Sequence, residues 1–349
     1  MQKHTILSSQ SIGEALEKIN SLAGNEMTLF AVDRIGHVAG SVTDGDIRRG
    51  LIAGAALTDD VAKVMRRDFL RLRSDEGSAN LHVFRQARAL GVKLLPVLDA
   101  ESRLSEVIVM SRRRSILPLD GVLMAGGKGM RLRPLTLRCP KPLLPVGDRP
   151  IIDHNVAHLR SFGVRKIFVT VNYLHEMIER HFATDDTEEH RDVECVRETS
   201  PLGTFGSLSL VEGLSHDNLI VMNADLFTDI DLEAMYLKHV AEDADLTVAA
   251  VPYSVSVPYA ILSLENGRVK GLEEKPTYNY FANAGVYILR KRLIDTIRKG
   301  ERLDATDFME TLLANGGKIS YYPIEGSWTD IGSPDDYRCV CELTARKKI

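Results

Sequence analysis

The chain has 349 residues, 44% of them apolar and 26% charged, which is enough for two domains with a substantial core and ordinary for a globular protein. Its formal net charge of -4 excludes a strongly basic surface for nucleic acid or anionic membrane, and no stretch is long and apolar enough to span a bilayer. The cysteines Cys139, Cys195, Cys339 and Cys341 contain no CxxC pair and the N-terminus lacks a signal peptide's apolar run, so no zinc knuckle or redox motif is predicted, and reduced thiols in the cytoplasm are expected.

Residues 1–117 carry a weak internal repeat, with copies at about 1–57 and 58–117. In the first, Ile12, Leu16 and Ile19 share one helix face and precede a strand pair at Thr28 to Val32 and Val38 to Ser41. In the second, Leu81, Phe84, Ala87 and Leu90 precede Lys93 to Leu98 and Glu106 to Met110 in the same order. Two such α+β copies would bury a shared face. The first copy ends in GSVTDGDIRRGL, Gly40 to Leu51. This resembles the end of a CBS domain, the paired module named after cystathionine beta-synthase. The resemblance implies that Thr43 and Asp46 hold the ribose of an adenine nucleotide, and that the pair self-associates into a homodimer or higher homo-oligomer. Both residue types also favour the N-cap of a helix beginning near Asp44, and that role alone accounts for them equally well. The second copy reads VIVMSRRRS at this place, with neither residue, which puts any nucleotide in the first copy. Arg112, Arg113 and Arg114 have no interleaved aromatic residues and read as a solvated linker.

From residue 118 the rhythm changes to strand, helix, strand. Gly121 to Met124 is a short apolar run suited to a strand buried on both faces, and it breaks into Ala125, Gly126, Gly127, Lys128 and Gly129. Glycines there let the backbone turn and present its amides to an anion without Cβ obstruction. Arg131 follows, then Lys141 between two prolines that limit backbone freedom. The loop lacks the Gly-Lys-Ser/Thr ending of a P-loop, and Leu132 stands where a dinucleotide fingerprint needs its third glycine. The whole string, GVLMAGGKGMRLRPLTLRCPKPLLPVGDRP, resembles the opening of the sugar-phosphate nucleotidyltransferases, close to GGxGxRLxPLTxxxPKPLLPV. Met130 departs from the Thr or Ser usual there.

Helical spacing at Ile152, Val156 and Leu159, a β-branched strand at Lys166 to Val171, a helix at Leu174 to Phe182, a charged loop at Thr184 to Asp192, and strands at Leu219 to Met222, Leu246 to Ala250 and Ala284 to Leu289 follow. Such alternation predicts a Rossmann-like, mostly parallel mixed sheet flanked by helices, with ligands at the carboxyl ends of its strands. Asp225, directly after the apolar strand that ends at Met222, is placed to hold Mg²⁺ between phosphates. Asp229 and Asp231 read as the cap and first turn of the next helix, and Ser333 and Pro334 as the start of a terminal one. His154 and His158 share a helix face, while HEMIERH, from His175 to His181, has the wrong spacing for a zincin; these histidines read as surface or core residues.

Five further segments resemble the same family in the same order: ETSPLGTFGS, VMNADLFTDID, GLEEKP, FANAGVYIL and SWTDIGSPDDY. The resemblance implies a GT-A-like nucleotidyltransferase domain over 118–349, behind the α+β CBS pair. It implies that Ala125, Gly126, Gly127, Gly129 and Arg131 hold the triphosphate, that backbone edges near Leu202, Gly203 and Thr204 read the base, and that Lys141 neutralises the α-phosphate. Asn283 and Gly285 would line the sugar pocket, Asn223 would bind substrate, Glu274 would bond sugar hydroxyls, Lys275 would neutralise the sugar phosphate, and Asp330 would join Asp225 as a Mg²⁺ ligand. The implied reaction joins a nucleoside triphosphate, GTP favoured, to a sugar 1-phosphate, releasing pyrophosphate and supplying a nucleotide sugar for surface glycans. Alternatives are a nucleotide-sugar-dependent glycosyltransferase, for which Asn223 and Asp225 offer only one acid after the strand, a non-catalytic adenine-nucleotide sensor, and an assembly protein.

Overall fold

The computed structural model describes residues 2–22, 24–184 and 187–346; residues 185 and 186 of the charged run lie outside them. Among these, residues up to Pro118 with Ser161–Gly163 form one compact unit, and Leu119–Arg160 with the residues from Val164 on form another.

The first unit repeats one topology. In the first copy β1 (Thr5–Leu7), α1 (Ile12–Ser21), β2 (Thr28–Val32), β3 (Val38–Thr43) and α2 (Asp44–Ile52) follow in order, β1 running parallel to β2 and β2 antiparallel to β3. In the second, β4 (Leu72–Arg73), α3 (Gly77–Ala89), β5 (Leu94–Leu98) and β6 (Leu104–Val109) pair in the same senses. A reciprocal cap starts α1: the Glu14 amide donates to Ser11 Oγ at 3.2 Å and the Ser11 amide to Glu14 Oε2 at 2.8 Å, which satisfies two otherwise orphaned donors. Each copy closes its own core, around Ile12, Ile19, Leu29 and Val42 in the first and Phe84, Leu95 and Ile108 in the second. In each copy the helix packs on its own sheet, and the central strands β2 and β5 carry buried residues on both faces. Where the first copy continues into α2, the second makes only a single 3₁₀ turn at Met110–Arg112.

The second unit is built on a seven-stranded sheet in the order β11-β10-β7-β12-β17-β14-β18, with β7 at Leu119–Met124, β10 at Ile167–Val171, β11 at Val193–Arg197, β12 at Asn218–Asn223, β14 at Leu246–Ser256, β17 at Thr277–Arg290 and β18 at Ile319–Pro323. Short pairs complete it: β8 (Pro145–Val146) with β9 (Arg149–Pro150), β13 (Leu226–Thr228) with β19 (Trp328–Asp330), and β15 (Ile261–Glu265) with β16 (Arg268–Glu273). Its helices are α4 (Ile151–Ser161), α5 (His175–Thr184), α6 (Gly203–Gly206), α7 (Leu232–Ala241), α8 (Ala305–Ala314) and α9 (Pro334–Arg346). β11, β10, β7 and β12 are mutually parallel, and β17 runs antiparallel between β12 and β14.

β7 and β10 are buried on both faces and mostly apolar, with Asp120 and Thr170 their buried polar exceptions, and Val122, Phe168, Leu219, Val221 and Leu289 join one core. Full burial of each such side chain stabilises by about 1.5–3 kcal/mol. The chain leaves β7 towards β10 on one side and returns on the other at β12, so the sheet order reverses beside β7. Loops diverge at that point and leave a crevice at the carboxyl ends of β7 and β12.

The sequence pattern underestimates β14 and β17. Their outer halves, 252–256 and 277–281, extend as a ribbon exposed on both faces, with no buried alternation to mark them. Asp231 caps α7 by accepting from the Glu233 and Ala234 amides, whereas Asp229 accepts from the Ser327 amide at 2.7 Å and ties two loops instead of capping. Ser333 and Asp336 cap α9 reciprocally.

Candidate active site

The glycine loop leaves β7 at the reversal point and forms one wall of a cavity of about 450 Å³. Ala125, Gly126, Gly127, Gly129, Met130 and Arg131 line it. Gly129 lies in the left-handed region at φ 57°, and an added Cβ would sit 2.9 Å from the Thr136 methyl, so the turn requires glycine. Thr136, fully buried, donates its hydroxyl to the Gly129 carbonyl at 2.8 Å and holds the loop from behind. At Gly127 an added Cβ would meet nothing within 4 Å, which leaves that backbone open to the cavity.

The opposite wall comes from β12. Asn223 and Asp225 line the cavity, and β13, immediately after Asp225, pairs antiparallel with β19 in a register that sets Leu226 against Asp330. The Ile331 amide donates to the Asp225 carbonyl at 3.2 Å, and two acids 105 positions apart in sequence thereby meet. Lys141, only 7% exposed, lies between them, with Nζ 2.5 Å from Asp225 Oδ2 and 3.4 Å from Asp330 Oδ1. Burial pushes the Asp225 carboxyl above its ordinary value; Lys141 opposes that rise and Asp330 adds to it. Asp225 Oδ1 is buried with no hydrogen-bond partner among the described residues. A converging pair of carboxylates, an orphaned oxygen and an ammonium already seated between them fit a hard divalent cation such as Mg²⁺.

A buried acid that sequence reasoning missed stands in the same cavity. Glu198, at the carboxyl end of β11, is 6% exposed and its Oε2 accepts from the Leu202 amide at 3.1 Å. An added Cβ on Gly126 would lie 2.7 Å from Glu198 Oε1, so only glycine admits this carboxylate to the loop. Burial raises its pKa and the Leu202 amide partly offsets the rise. The sequence pattern marks no strand at Val193–Arg197, a half-exposed VECVR, so the acid-after-strand signal that marks Asp225 is missing for Glu198.

α4 supports the acid wall. Its buried Asn155 donates to the Ala224 carbonyl at 3.2 Å, next to Asp225, while His154 and His158 Nε2 lie 2.9 and 3.0 Å from the Val146 and Ile230 carbonyls. These two histidines hold backbone.

Gly203 and Thr204 line the cavity, and Leu202 is buried just outside its lining. Gly203 has φ 74°, and a Cβ there would strike Asp304 Oδ1 at 2.4 Å. The Thr204 hydroxyl accepts from the Ala305 amide at 2.8 Å, at the start of α8. Gly285, at φ 72°, abuts Asn223, whose Nδ2 would lie 2.4 Å from an added Cβ. Asn283 is engaged locally, accepting from the Gly285 amide and donating to the Tyr287 hydroxyl. Glu274 and Lys275 are exposed on the connection between β16 and β17, outside the cavity lining. Thr43 and Asp46 form a reciprocal cap of α2, with Asp46 paired to Arg49 at 2.5 Å, and both also line a cavity of about 600 Å³ in the first unit.

Residues 120–347 match the model of the nucleotidyl transferase family. Mannose-1-phosphate guanylyltransferase of Mycobacterium tuberculosis is 34% identical over 229 residues, 63% of this chain and 62% of that protein. Mannose-1-phosphate guanylyltransferase 1 of Arabidopsis thaliana is 30% identical over 228 residues, 63% of each chain. The match thus spans less than two thirds of these relatives' own length. HddC from Yersinia pseudotuberculosis is 26% identical with a TM-score of 0.51 over 64% of this chain and 99% of its own. UDP-glucose pyrophosphorylase from Acinetobacter baumanii, 21% identical, shares the fold with a TM-score of 0.51 over 66% of this chain and 94% of its own. The chain belongs to the nucleotidyl transferase family.

Proposed function

We propose that the second unit transfers a nucleoside monophosphate from a nucleoside triphosphate to a sugar 1-phosphate, giving a nucleotide sugar and pyrophosphate. The observation that carries this reading is Lys141 seated between Asp225 and Asp330, across a cavity from the open glycine loop. A phosphate oxygen of the sugar 1-phosphate attacks the α-phosphorus in line. The new P–O bond forms as the bond from the α-phosphorus to the α,β-bridging oxygen breaks, and the electron pair leaves on pyrophosphate. No covalent nucleophile is required, so positioning and charge stabilisation supply the rate. Loop amides and Arg131 hold the leaving phosphates, and Lys141 neutralises the α-phosphate. Asp225 and Asp330 would hold Mg²⁺, which when bound supplies charge neutralisation to phosphate oxygens. Glu274 and Lys275 of the exposed ribbon, with Asn223, Asn283 and Gly285, are assigned to the sugar phosphate half.

GTP is the favoured triphosphate. A buried Glu198 carboxylate beside the loop suits the adjacent N–H donors of guanine and repels the carbonyls of thymine or uracil. The names of the guanylyltransferase relatives support the same base and a hexose 1-phosphate such as that of mannose. The repeated first unit is read as a CBS pair that binds an adenine nucleotide at Thr43 and Asp46 and tunes the enzyme, within a cytoplasmic homo-oligomer that feeds surface glycan synthesis.

A matrix of nucleoside triphosphates against sugar 1-phosphates, scored by pyrophosphate release with Mg²⁺, tests the activity, and Asp225→Asn abolishes turnover with the fold intact. Undiminished release by that variant refutes the acid assignment. For the first unit, Asp46→Ala removes the thermal shift produced by ATP, ADP or AMP; an unchanged shift refutes the regulatory site.

A further inference from the structure

We propose that Asp153, His181 and His190 form a transition-metal site, with Zn²⁺ the ion its donors suit, separate from the cavity that holds Asp225. The three side chains come from α4, from the last turn of α5 and from the turn that precedes β11. His181 Nε2 lies 2.7 Å and His190 Nε2 3.2 Å from the same Asp153 oxygen, Oδ1, and one ligand atom from each residue lies within 4.8 Å of the others. Their side chains are 11%, 22% and 2% exposed in the order Asp153, His181, His190.

The geometry is near what a tetrahedral ion needs. Zinc bonds of about 2.0–2.1 Å to nitrogen and oxygen place neighbouring ligand atoms about 3.3 Å apart. The two observed separations from Asp153 are 2.7 Å, about 0.6 Å shorter than that, and 3.2 Å, close to it, and the edge between the two histidines is no longer than 4.8 Å. Packing holds the rings in place: the Phe182 ring stands edge-on to His181 at 5.1 Å and to His190 at 5.0 Å, and the two imidazoles meet at 5.1 Å. The charge balance points the same way. Asp153 is a buried carboxylate whose polar partners among the described residues are these two imidazoles, with no Lys or Arg beside it. A divalent cation held by the three side chains would add a positive charge beside this buried carboxylate.

The donor set selects the ion. Two imidazole nitrogens and one carboxylate oxygen suit Zn²⁺, Co²⁺ or Ni²⁺, whereas Mg²⁺ prefers all-oxygen ligands such as Asp225 and Asp330. Three protein ligands leave the fourth position to water. The ion ties α4 to α5 and to the segment leading into β11. α4 carries the Asn155 contact to the Ala224 carbonyl, and Glu198 directly follows β11, so the site stiffens both acid-bearing walls of the cavity without entering its chemistry.

The test uses the tag-free full chain, stripped with chelator, in an Asp225→Asn background that removes adventitious binding at the other acids. Zn²⁺ titration by calorimetry gives one ion per chain, Co²⁺ gives the visible absorption of a tetrahedral nitrogen and oxygen site, and excess Mg²⁺ displaces neither. His190→Gln and His181→Gln each lower Zn²⁺ affinity at least about tenfold. They also abolish the Zn²⁺-induced rise in melting temperature. If one variant fails to fold, the other and the Co²⁺ spectrum of the unsubstituted triad still decide. Absence of stoichiometric binding, an octahedral Co²⁺ spectrum, or Zn²⁺ affinity unchanged by both substitutions overturns the site and leaves a hydrogen-bonded Asp-His-His triad.

Discussion

Replacing Lys141 by methionine removes the cation that lies between Asp225 and Asp330. At an effective dielectric constant of about 20, an ion pair at the observed 2.5 Å represents roughly 7 kcal/mol of gross attraction and one at 3.4 Å roughly 5. Desolvation of Lys141 and Asp225 offsets most of this, and removing one partner of such a buried pair costs about 3–5 kcal/mol net. The raised Asp225 carboxyl sets the sign of the pH dependence: stability from its protonated form is present at low pH and is lost as pH rises through the folded-state value. Without Lys141 that value rises further. Lys141→Met in chelator should therefore be strongly destabilised at pH 8, regain much of the loss near pH 5, and gain more from Mg²⁺ than wild type does. At one hundred times the dissociation constant, Mg²⁺ contributes about 2.7 kcal/mol. Urea denaturation followed by circular dichroism, at two pH values with and without Mg²⁺, measures all three effects. An unfolding midpoint indifferent to the substitution, to pH and to Mg²⁺ would refute the placement of Lys141 as the counter-ion of a metal-binding acid pair.

Glu198→Gln should lower kcat/KM for GTP by about tenfold or more while changing UTP and dTTP turnover far less, since loss of one hydrogen bond to a charged group costs about 1.5–3 kcal/mol; an equal loss for every base would remove Glu198 from base reading. Gly285→Ala forces a side chain into the left-handed region and against Asn223, so a loss of at least about 1–2 kcal/mol in urea denaturation is expected, with an unchanged midpoint the contrary result. His239 is held at about 4, first by burial and then by the nearby Arg290 charge, and is neutral in the fold between Thr247 and Asn218. Its folded value lies below the unfolded 6.5, so stability is present above pH 6.5 and falls by about 3 kcal/mol as pH drops to 4. His239→Gln should flatten that part of the stability curve, measured by denaturation at stepped pH; an unchanged slope assigns the acid sensitivity elsewhere.

Local pattern determined much of this protein by itself. The buried run before the glycine loop, the repeat in the first unit, the helix at Ile151 and the acid after Asn218–Asn223 were legible because period, turn chemistry and helix caps act within a few residues. Ordered motifs then supplied the family. What the sequence could not determine is which distant groups share one point in space. The β13–β19 register brings Asp330 to Asp225, the fold of the proline-flanked segment carries Lys141 between them, and the parallel order β7-β10-β11 sets Glu198 beside Gly126. Glu274 and Lys275 stand on an exposed ribbon that no alternation announced. His181 looked like half of a failed zincin string, because its partners Asp153 and His190 lie on other elements. Burial decided the chemistry at Asp225, Glu198 and Asp153. A carboxylate shifts its pKa, demands a counter-ion or orders a loop only once packing has removed its water, and packing is a property of the whole chain.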